Sequence, residues 1–493
     1  MIPIMVAFVF TLAILALRVI LSFTASKRVP IPAVPFWMTL YDACRGINRL
    51  KFFETRVRPL IDRHGAVYVW NSGRWAVLIT KPEYLLRMFR NESIVAKGGF
   101  HKKAPGSSFA TLFGENIVDS HGSTYVRFSK IIKPAIRKPT NIRWMREKSS
   151  QLVELFLSAQ SLAPSGQGVL VDRLIQRWAV DVFGVAFLDS EIGCLRDPAH
   201  PLENALATMK DNFPTMVFAE FPILEKFPFL LRSCHCAFSA IKNFENLLVA
   251  HVDEWARARK RGNQGGNEKL VHRLVQARES FELSEFHYRS NLKMLITAGH
   301  ENAYAALLSA LWELSTNPSV QRNLREEISK LPSDYTVDDI DKLPYLTAVV
   351  YEVLRLYPPL SQLINRVTLE DFILDTGIRI PKGTWMGWSA YGVQTNPELW
   401  GESAKEFQPS RWGGDIDSIN NLFRSSQSKG SFITFNTYSR RCPGSGFALV
   451  QLKIALVEIL RKASWTNDPT YHFSTTPVAG LSPRGCRLVF TST

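Results

Sequence analysis

The feature that most constrains the fold of this chain is a long apolar segment with helical periodicity. Apolar side chains recur at helical spacing from Leu292 to Leu311, and Asn317 followed by Pro318 provides a helix stop signal. The pattern predicts a long and largely buried helix. Its middle nevertheless carries the polar run 299–302 (Gly-His-Glu-Asn), which would cost several kcal/mol if it were buried without partners. We therefore interpret this run as part of a functional site.

Most of the remaining chain also has helical periodicity. Short β-hairpins are predicted at 67–80, at 373–380 and at the end of the chain through 488–490. Hydrophobic residues make up 46% of the 493 residues, which is sufficient for a large buried core. No long linker, internal repeat or low-complexity segment follows about Leu40. The expected fold is mainly α-helical with small β-sheets, in a single large domain over 40–493.

The amino terminus is predicted to be a membrane anchor. Residues 1–23 are mostly apolar and carry no charged side chain apart from Arg18, and at roughly 1.5 Å per residue a helix of this length extends about 34 Å, enough to cross a bilayer. Lys27 and Arg28 follow, so the positive-inside tendency places the rest of the chain in the cytosol. A cleaved signal peptide is the alternative interpretation. Residues 24–39 are predicted to form a Pro-rich linker.

The charge and cysteine content limit the classes of partner. The formal net charge of +15 favours an anionic partner, such as a nucleic acid, a membrane surface, an acidic protein or an anionic cofactor. The dense basic run at 257–261 has no interleaved aromatic residues, so we expect a solvated loop there and no nucleic-acid binding. The six cysteines form no Cys-x-x-Cys pair and are too sparse for a disulfide scaffold, which indicates a reducing compartment.

A cysteine stands in a loop just before a predicted helix. Residues 432–446 are rich in turn formers, and an apolar helical run follows over 447–460. Backbone N–H groups at a helix start stabilise a thiolate, and Arg440 and Arg441 precede Cys442. The segment therefore favours a functional thiolate, with a small buried cysteine as the alternative.

This segment resembles the Phe-x-x-Gly-x-Arg-x-Cys-x-Gly loop of the cytochrome P-450 family. Phe435, Arg440, Cys442 and Gly444 match, and Tyr438 stands in place of the first glycine. Three further segments match in order and spacing: Glu352 and Arg355 for Glu-x-x-Arg, Phe407, Pro409, Arg411 and Trp412 for Phe-x-Pro-x-Arg, and 298–301 for Ala-Gly-x-Glu. The resemblance implies a mainly helical triangular domain with heme b between the central helix and the cysteine loop.

The resemblance also implies roles for individual residues. Cys442 would be the axial iron ligand in a loop that includes Phe435, and Arg440 and Arg366 would bind the haem propionates. Glu352 with its arginine partners would form a buried ion cluster that supports the loop.

The third family contact to the propionates departs from the pattern. The family has Trp-x-x-x-Arg in an early helix, where this chain has Tyr125 and Ser129. Tyr125 retains a hydrogen-bond donor but Ser129 supplies no charge, so Lys130 or Arg127 is the candidate for the missing cation.

The central helix departs as well, because the family usually has Thr after the acid and this chain has Asn302. An amide orients water but does not relay a proton as a hydroxyl does. Proton delivery is therefore expected to depend on Glu301 and ordered water, or the reaction needs it less. By family position, substrate contacts are expected at 104–112, 360–364 and 479–482, and a mobile lid at 213–229.

The resulting hypothesis is a monomeric haem-thiolate monooxygenase that uses O₂ to oxidise a lipophilic or aromatic small molecule. Electrons would come from NADPH through a separate membrane-bound reductase, with the protein on the endoplasmic reticulum membrane and its catalytic domain in the cytosol. The sequence resembles fungal secondary-metabolism members. The alternatives are oxidative coupling of the phenol type or rearrangement at the same site, and a haem-binding module without turnover.

Overall fold

A computed structural model of the protein describes residues 30–137, 142–164, 166–213, 215–226, 232–261, 269–375, 377–477 and 480–493. The anchor predicted over 1–23 lies outside these ranges, as does the first part of the predicted linker, and both stay predictions. Among the residues described, no helix combines the length and apolar character needed to cross a membrane. The described chain is mainly helical with small sheets, which confirms the predicted class.

The α-helices include short connectors and long core elements, numbered here in chain order. They are α1 (Phe36–Cys44), α2 (Arg49–Phe52), α3 (Arg58–His64), α4 (Pro82–Arg90), α5 (Phe100–Lys103), α6 (Ser108–Phe113), α7 (Gly122–Ile136), α8 (Arg143–Leu162), α9 (Asp172–Phe183), α10 (Pro201–Asp211), α11 (Met216–Glu220), α12 (Arg232–Arg261), α13 (Leu270–Glu279), α14 (Glu285–Thr316), α15 (Pro318–Ser329), α16 (Val337–Asp341), α17 (Pro344–Leu356), α18 (Ala390–Gln394), α19 (Pro397–Trp400), α20 (Ile416–Lys429) and α21 (Ser445–Lys462). Single π-helical or 3₁₀ turns occupy Phe53–Val57, Gly184–Leu188, Pro222–Lys226, Pro409–Trp412 and Tyr438–Arg440.

The described strands form small sheets. They are β1 (Ala66–Asn71), β2 (Arg74–Ile79), β3 (Val95–Lys97), β4 (Val169–Leu170), β5 (Gln362–Thr368), β6 (Phe372–Asp375), β7 (Ile378–Ile380), β8 (Trp385–Ser389), β9 (Ala463–Asn467) and β10 (Arg487–Ser492). In the described ranges the largest sheet has the order β1-β2-β8-β5-β3, and the others are β4-β10-β9 and β6-β7. All neighbours are antiparallel except β2 and β8.

Helix α14 is the centre of the helical body and confirms the predicted long helix. It packs against α9, α17 and α21, and its apolar side chains form one buried core with theirs. The Ser284 Oγ caps its start by accepting from the His287 N–H at 3.2 Å. At Gly299 a Cβ atom would overlap the Phe183 ring of α9. The glycine of the polar run is therefore required by close packing of two helices.

Two of the three predicted hairpins are confirmed. β1 and β2 pair through a turn at Ser72 and Gly73, both with left-handed backbone (φ 51° and 80°), and β6 pairs with β7. At the chain end the predicted strand through 488–490 is present in β10, but no tight hairpin forms there, because β10 pairs with β9 across the connection 468–486 and with β4, which lies far away in sequence. Alternating burial along a strand shows that it has one buried face and does not identify its partners.

Candidate active site

The loop that carries Cys442 connects α20 to the start of α21. The Cys442 N–H donates to the carbonyl of Phe435 at 2.8 Å, and Phe435 is buried. Burial raises the pKa of the Cys442 thiol, while the Gly444 N–H and Arg441 act to lower it. The local groups thus act as the sequence argument expects, but burial is the larger effect. Cys442 is nevertheless exposed, so its side chain borders open space although the surrounding protein desolvates the thiol.

Gln394 supports the cysteine loop from the end of α18. Its side-chain oxygen accepts from the N–H groups of Ile433 and Thr434 at 2.8 and 3.0 Å. Its Nε2 donates to the carbonyls of Leu354 and Arg355 at 3.1 and 2.9 Å. The amide therefore connects the loop to the end of α17, where the predicted ion cluster lies.

That ion cluster is centred on Glu352, whose side chain is fully buried. Its carboxylate accepts two bonds from Arg355 at 2.8 Å each, one from Arg411 Nε at 2.8 Å and one from Trp412 Nε1 at 3.0 Å. Arg355 also donates to two backbone carbonyls at 2.6 Å. Both carboxylate oxygens of Glu352 and the guanidinium groups of Arg355 and Arg411 thus have several hydrogen-bond partners, as expected of a structural cluster.

A second buried charged cluster is arranged very differently. Lys97 of β3 lies opposite Arg366 of β5 in the sheet, and Arg440 of the cysteine loop acts electrostatically on both. All three are cations with little exposed surface. Glu92 pairs with Arg440, and the Lys97 Nζ donates to Asn365 Oδ1 at 3.0 Å.

The donors of this cluster are not all used. The Arg366 Nη1 donates to the Val95 carbonyl at 3.1 Å, but its Nε and Nη2 have no hydrogen-bond partner among the residues described, nor has the Arg440 Nη1. Burial lowers the pKa of Arg366 to about 10, and burial together with Arg366 and Arg440 lowers the pKa of Lys97 well below its usual value. Buried, unpaired guanidinium nitrogens are costly unless an anion binds them. The cluster fits the carboxylates of haem.

Helix α7 contacts the cysteine loop through Tyr125 and Lys133. Lys133 is a cation that the sequence analysis did not select. Tyr125 Oη donates to the Ser439 carbonyl at 2.9 Å, and the Lys133 Nζ donates to Tyr125 Oη at 2.6 Å. The Arg440 guanidinium lies 3.2 Å from the centre of the Tyr125 ring. Lys130 is exposed and points elsewhere on the helix. Lys133, two turns after Tyr125, is the cation that the structure brings to this position.

One face of α14 has exposed surface in the middle of an otherwise buried helix. Met294 and Ala298 are half-buried and Asn302 is exposed, at a spacing of four that places them on one face. Asn302 Nδ2 donates to the Ala298 carbonyl at 3.0 Å. Asn302 is therefore an exposed residue with one hydrogen bond inside its own helix. Its amide is held by its own helix and faces open space.

Glu301 points to a different side of α14 and is held in an ion pair. Its carboxylate lies 2.9 Å from the Lys210 Nζ of α10 and 2.9 Å from the His300 Nε2. The His300 Nδ1 lies 2.6 Å from the Ile296 carbonyl, so this nitrogen carries a hydrogen. Burial acts to raise the pKa of Glu301, but Lys210 and His300 outweigh it and hold that pKa at about 2.

The segments expected to contact substrate come together in part. Phe109 stacks on Phe100 and meets Phe213 edge-on, with ring centroids 4.6 Å apart in both pairs. Leu360 pairs with Gly480 in an isolated bridge. Residue 479 and residues 214 and 227–229 of the predicted lid lie outside the described ranges. The described part of the predicted lid segment lies against α6, where Glu225 accepts from the Ser108 N–H and hydroxyl at 2.6 and 2.7 Å.

Several residues of this site were missed by reasoning from sequence. Lys97, Glu92, Lys133 and Lys210 are single charged residues outside any motif. Only Lys133 has a possible signal, because its spacing of eight from Tyr125 places it near the same helix face.

Comparisons with known proteins agree with this geometry. The family described as cytochrome P-450 matches residues 30–482. Cytochrome P-450 monooxygenase xanG of Aspergillus fumigatus is 40% identical over 454 residues, which cover 91% of this chain and 84% of that protein. Cytochrome P-450-DIT2 of Saccharomyces cerevisiae is 28% identical over 464 residues, covering 93% and 92%. The crystal structure of cytochrome P-450DA heme domain shares the fold, with a TM-score of 0.73 at 20% identity over 94% of this chain and 98% of that one.

The chain therefore belongs to the cytochrome P-450 family, with fungal monooxygenases among its relatives. Membership of this family makes it a haem-dependent oxidoreductase, as the cysteine loop and the buried cations indicate.

Proposed function

We propose that this protein is a haem-thiolate monooxygenase that oxidises a lipophilic or aromatic small molecule. The observation that carries the proposal is the pairing of two features on one loop: Cys442 faces open space, and Arg440, two residues earlier, belongs to a buried cluster with unpaired guanidinium nitrogens. Cys442 would hold the iron of heme b, and Arg440, Arg366 and Lys97 would hold the propionates. When bound, a thiolate-ligated haem supplies the activation of O₂.

The protein's own contribution to proton supply follows from Glu301. With a pKa of about 2 it is ionised at neutral pH, so it stores no proton of its own. It can only pass on a proton that it accepts from Lys210 or from water, and the Lys210 ammonium is partly exposed. Tyr125 and Lys133 act by holding the Ser439 carbonyl, and Lys130 takes no part in this scheme.

Asn302 supports a second candidate function. Its Nδ2 is engaged by the Ala298 carbonyl, and among the described residues no donor reaches its Oδ1, which is free to accept from water or substrate. An amide at this position orients a molecule without relaying a proton. Oxidative coupling of phenol-type substrates at the same site is therefore the alternative, since it makes less use of proton relay than hydroxylation does.

The cellular setting is part of the same proposal. A single-pass anchor over 1–23 with the linker 24–39 would place the haem domain, 40–493, on the cytosolic side of the endoplasmic reticulum membrane. There it would act as a monomer with an NADPH-dependent reductase, and the net charge of +15 suits an acidic redox partner. The fungal relatives favour a role in secondary metabolism.

Two measurements test the proposed activity. The reduced carbon monoxide complex is expected to show the red-shifted band of haem-thiolate proteins, and Cys442→Ala, folded and haem-loaded, is expected to lose it. Persistence of that band in the variant would refute the ligand assignment. Incorporation of labelled O₂ oxygen into product then separates monooxygenation from coupling, and ligand-stimulated NADPH consumption with a reductase argues against a module without turnover.

A further inference from the structure

The turn before Cys442 contains a residue in a conformation that its side chain disfavours. Tyr438 has φ +54°, in the left-handed region, at the position where the family motif has glycine. Asn436 is also left-handed (φ +58°), but asparagine tolerates this region and its Oδ1 accepts from the Thr437 N–H at 2.8 Å. For a tyrosine the left-handed region is disfavoured by about tenfold in population. Other contacts in this chain must therefore stabilise the left-handed backbone that a glycine would adopt freely.

The end of α4 contacts this turn directly. Arg90, the last residue of α4, donates from Nε to Tyr438 Oη at 2.7 Å, and its guanidinium lies 5.2 Å from the centre of the Tyr438 ring. Both contacts depend on where the tyrosine side chain points, and its direction follows from the left-handed backbone. The pair is exposed, so each contact is of modest strength.

Glu92, two residues further on, holds the rest of the turn. Its carboxylate accepts from the Ser439 Oγ at 2.8 Å and pairs with the Arg440 guanidinium. Arg90 and Glu92 together contact three consecutive residues, Tyr438 to Arg440. The opposite side of the turn is fixed by α7, since Tyr125 holds the Ser439 carbonyl.

We propose that Arg90 and Glu92 are positioning residues that clasp the turn Tyr438–Arg440 in its left-handed form and so fix Arg440 and Cys442 for haem. The proposal rests on the proposed haem roles of those two residues. It predicts that the requirement for Arg90 exists because residue 438 is a tyrosine. If glycine occupied that position, the contacts of Arg90 with residue 438 would be dispensable.

The test is a double-mutant cycle with Arg90→Ala, Tyr438→Gly and the double variant, with Arg87→Ala as matched control. Arg87 is an exposed arginine one turn earlier on α4, and it contacts the Leu374 carbonyl instead of the loop. We expect Arg90→Ala to speed haem dissociation about two- to fivefold and to shift part of the carbon monoxide complex to the shorter-wavelength band. In the Tyr438→Gly background the same change is expected to have no effect beyond that of Arg87→Ala.

Equal effects of Arg90→Ala in both backgrounds, or no effect beyond that of the control, would overturn the role of Arg90. For Glu92, we expect Glu92→Ala to speed haem loss more than Glu92→Gln, which keeps an acceptor for Ser439 and Arg440, and equal loss would overturn that part. Failure of the haem assignment is recognised separately, because Cys442→Ala would then keep the red-shifted band. In that case, a non-additive effect of Arg90→Ala and Tyr438→Gly on the free energy of unfolding of the haem-free protein would still show that the two residues interact.

Discussion

The two buried charged clusters beside the cysteine loop differ in how far their charges are matched. Around Glu352, two arginines, a tryptophan N–H and backbone carbonyls supply partners at 2.6 to 3.0 Å. Around Arg366, three guanidinium nitrogens on two arginines have no hydrogen-bond partner among the described residues. The first cluster is complete within the described residues, and the second keeps donors that suit an anion.

This difference separates a structural role from a binding role in residues of the same type. A fully paired buried cluster loses stability when one member is removed, because the remaining charge is left buried. A cluster that awaits a ligand behaves in the opposite way, since removing one of its excess charges relieves a desolvation cost in the free protein. The contrast therefore predicts opposite effects for two arginine substitutions.

The largest effect is expected for Arg355→Leu. It leaves the Glu352 carboxylate buried with only part of its partners, so the free energy of unfolding of the haem-free protein should fall by about 3–5 kcal/mol. Urea unfolding measures this, and Arg379→Leu, at an exposed ion pair, is the control with little expected effect. A change as small as that of the control would contradict the structural role.

Arg366→Leu is expected to do the reverse. The free energy of unfolding of the haem-free protein should stay within about 1 kcal/mol of wild type or rise, because an incompletely paired buried charge is removed. Haem affinity should fall about ten- to hundredfold, as expected for the loss of charge-assisted hydrogen bonds. The two quantities are measured by urea unfolding and by haem titration of the same preparation. A loss of stability comparable to that of Arg355→Leu would remove the distinction between the clusters.

Lys97→Met should give a smaller effect of the same kind, about three- to tenfold in haem affinity, because the Lys97 Nζ already has Asn365 as a partner. Its pKa is lowered in the folded haem-free protein, so the unfolded chain binds the extra proton more readily. Wild-type stability should then rise with pH toward the unfolded pKa of about 10.4, and the variant should lack this rise. Parallel pH profiles for the two proteins would contradict the burial of a charged Lys97.

The smallest effect concerns Asn302, an uncharged group on the open face of α14. We expect Asn302→Thr and Asn302→Ala to lower the product formed per NADPH consumed by about two- to fivefold while leaving the haem spectrum intact, since the amide orients water or substrate. Equal values in wild type and both variants would show that the residue has no mechanistic role.

Much of the site was predictable from sequence, for a physical reason. Cys442, Glu352 and Arg355 stand in motifs that resemble those of the family, which is why the sequence identifies them. The long helix and two hairpins follow from periodicity and turn residues. The position of Lys97 beside Arg366 could not be predicted, because it results from the pairing of two strands that are far apart in the chain. The ion pair of Glu301 with Lys210 likewise depends on how α10 meets α14.

The central claim is that the Arg366 cluster exists to bind the carboxylates of haem. The most direct test compares the affinity of the haem-free protein for haem and for its dimethyl ester, in which both propionates are neutral. Wild type is expected to bind haem at least about tenfold more tightly than the ester, and this preference should largely disappear in Arg366→Leu. Equal affinity of wild type for haem and ester, or an unchanged preference in the variant, would contradict the claim.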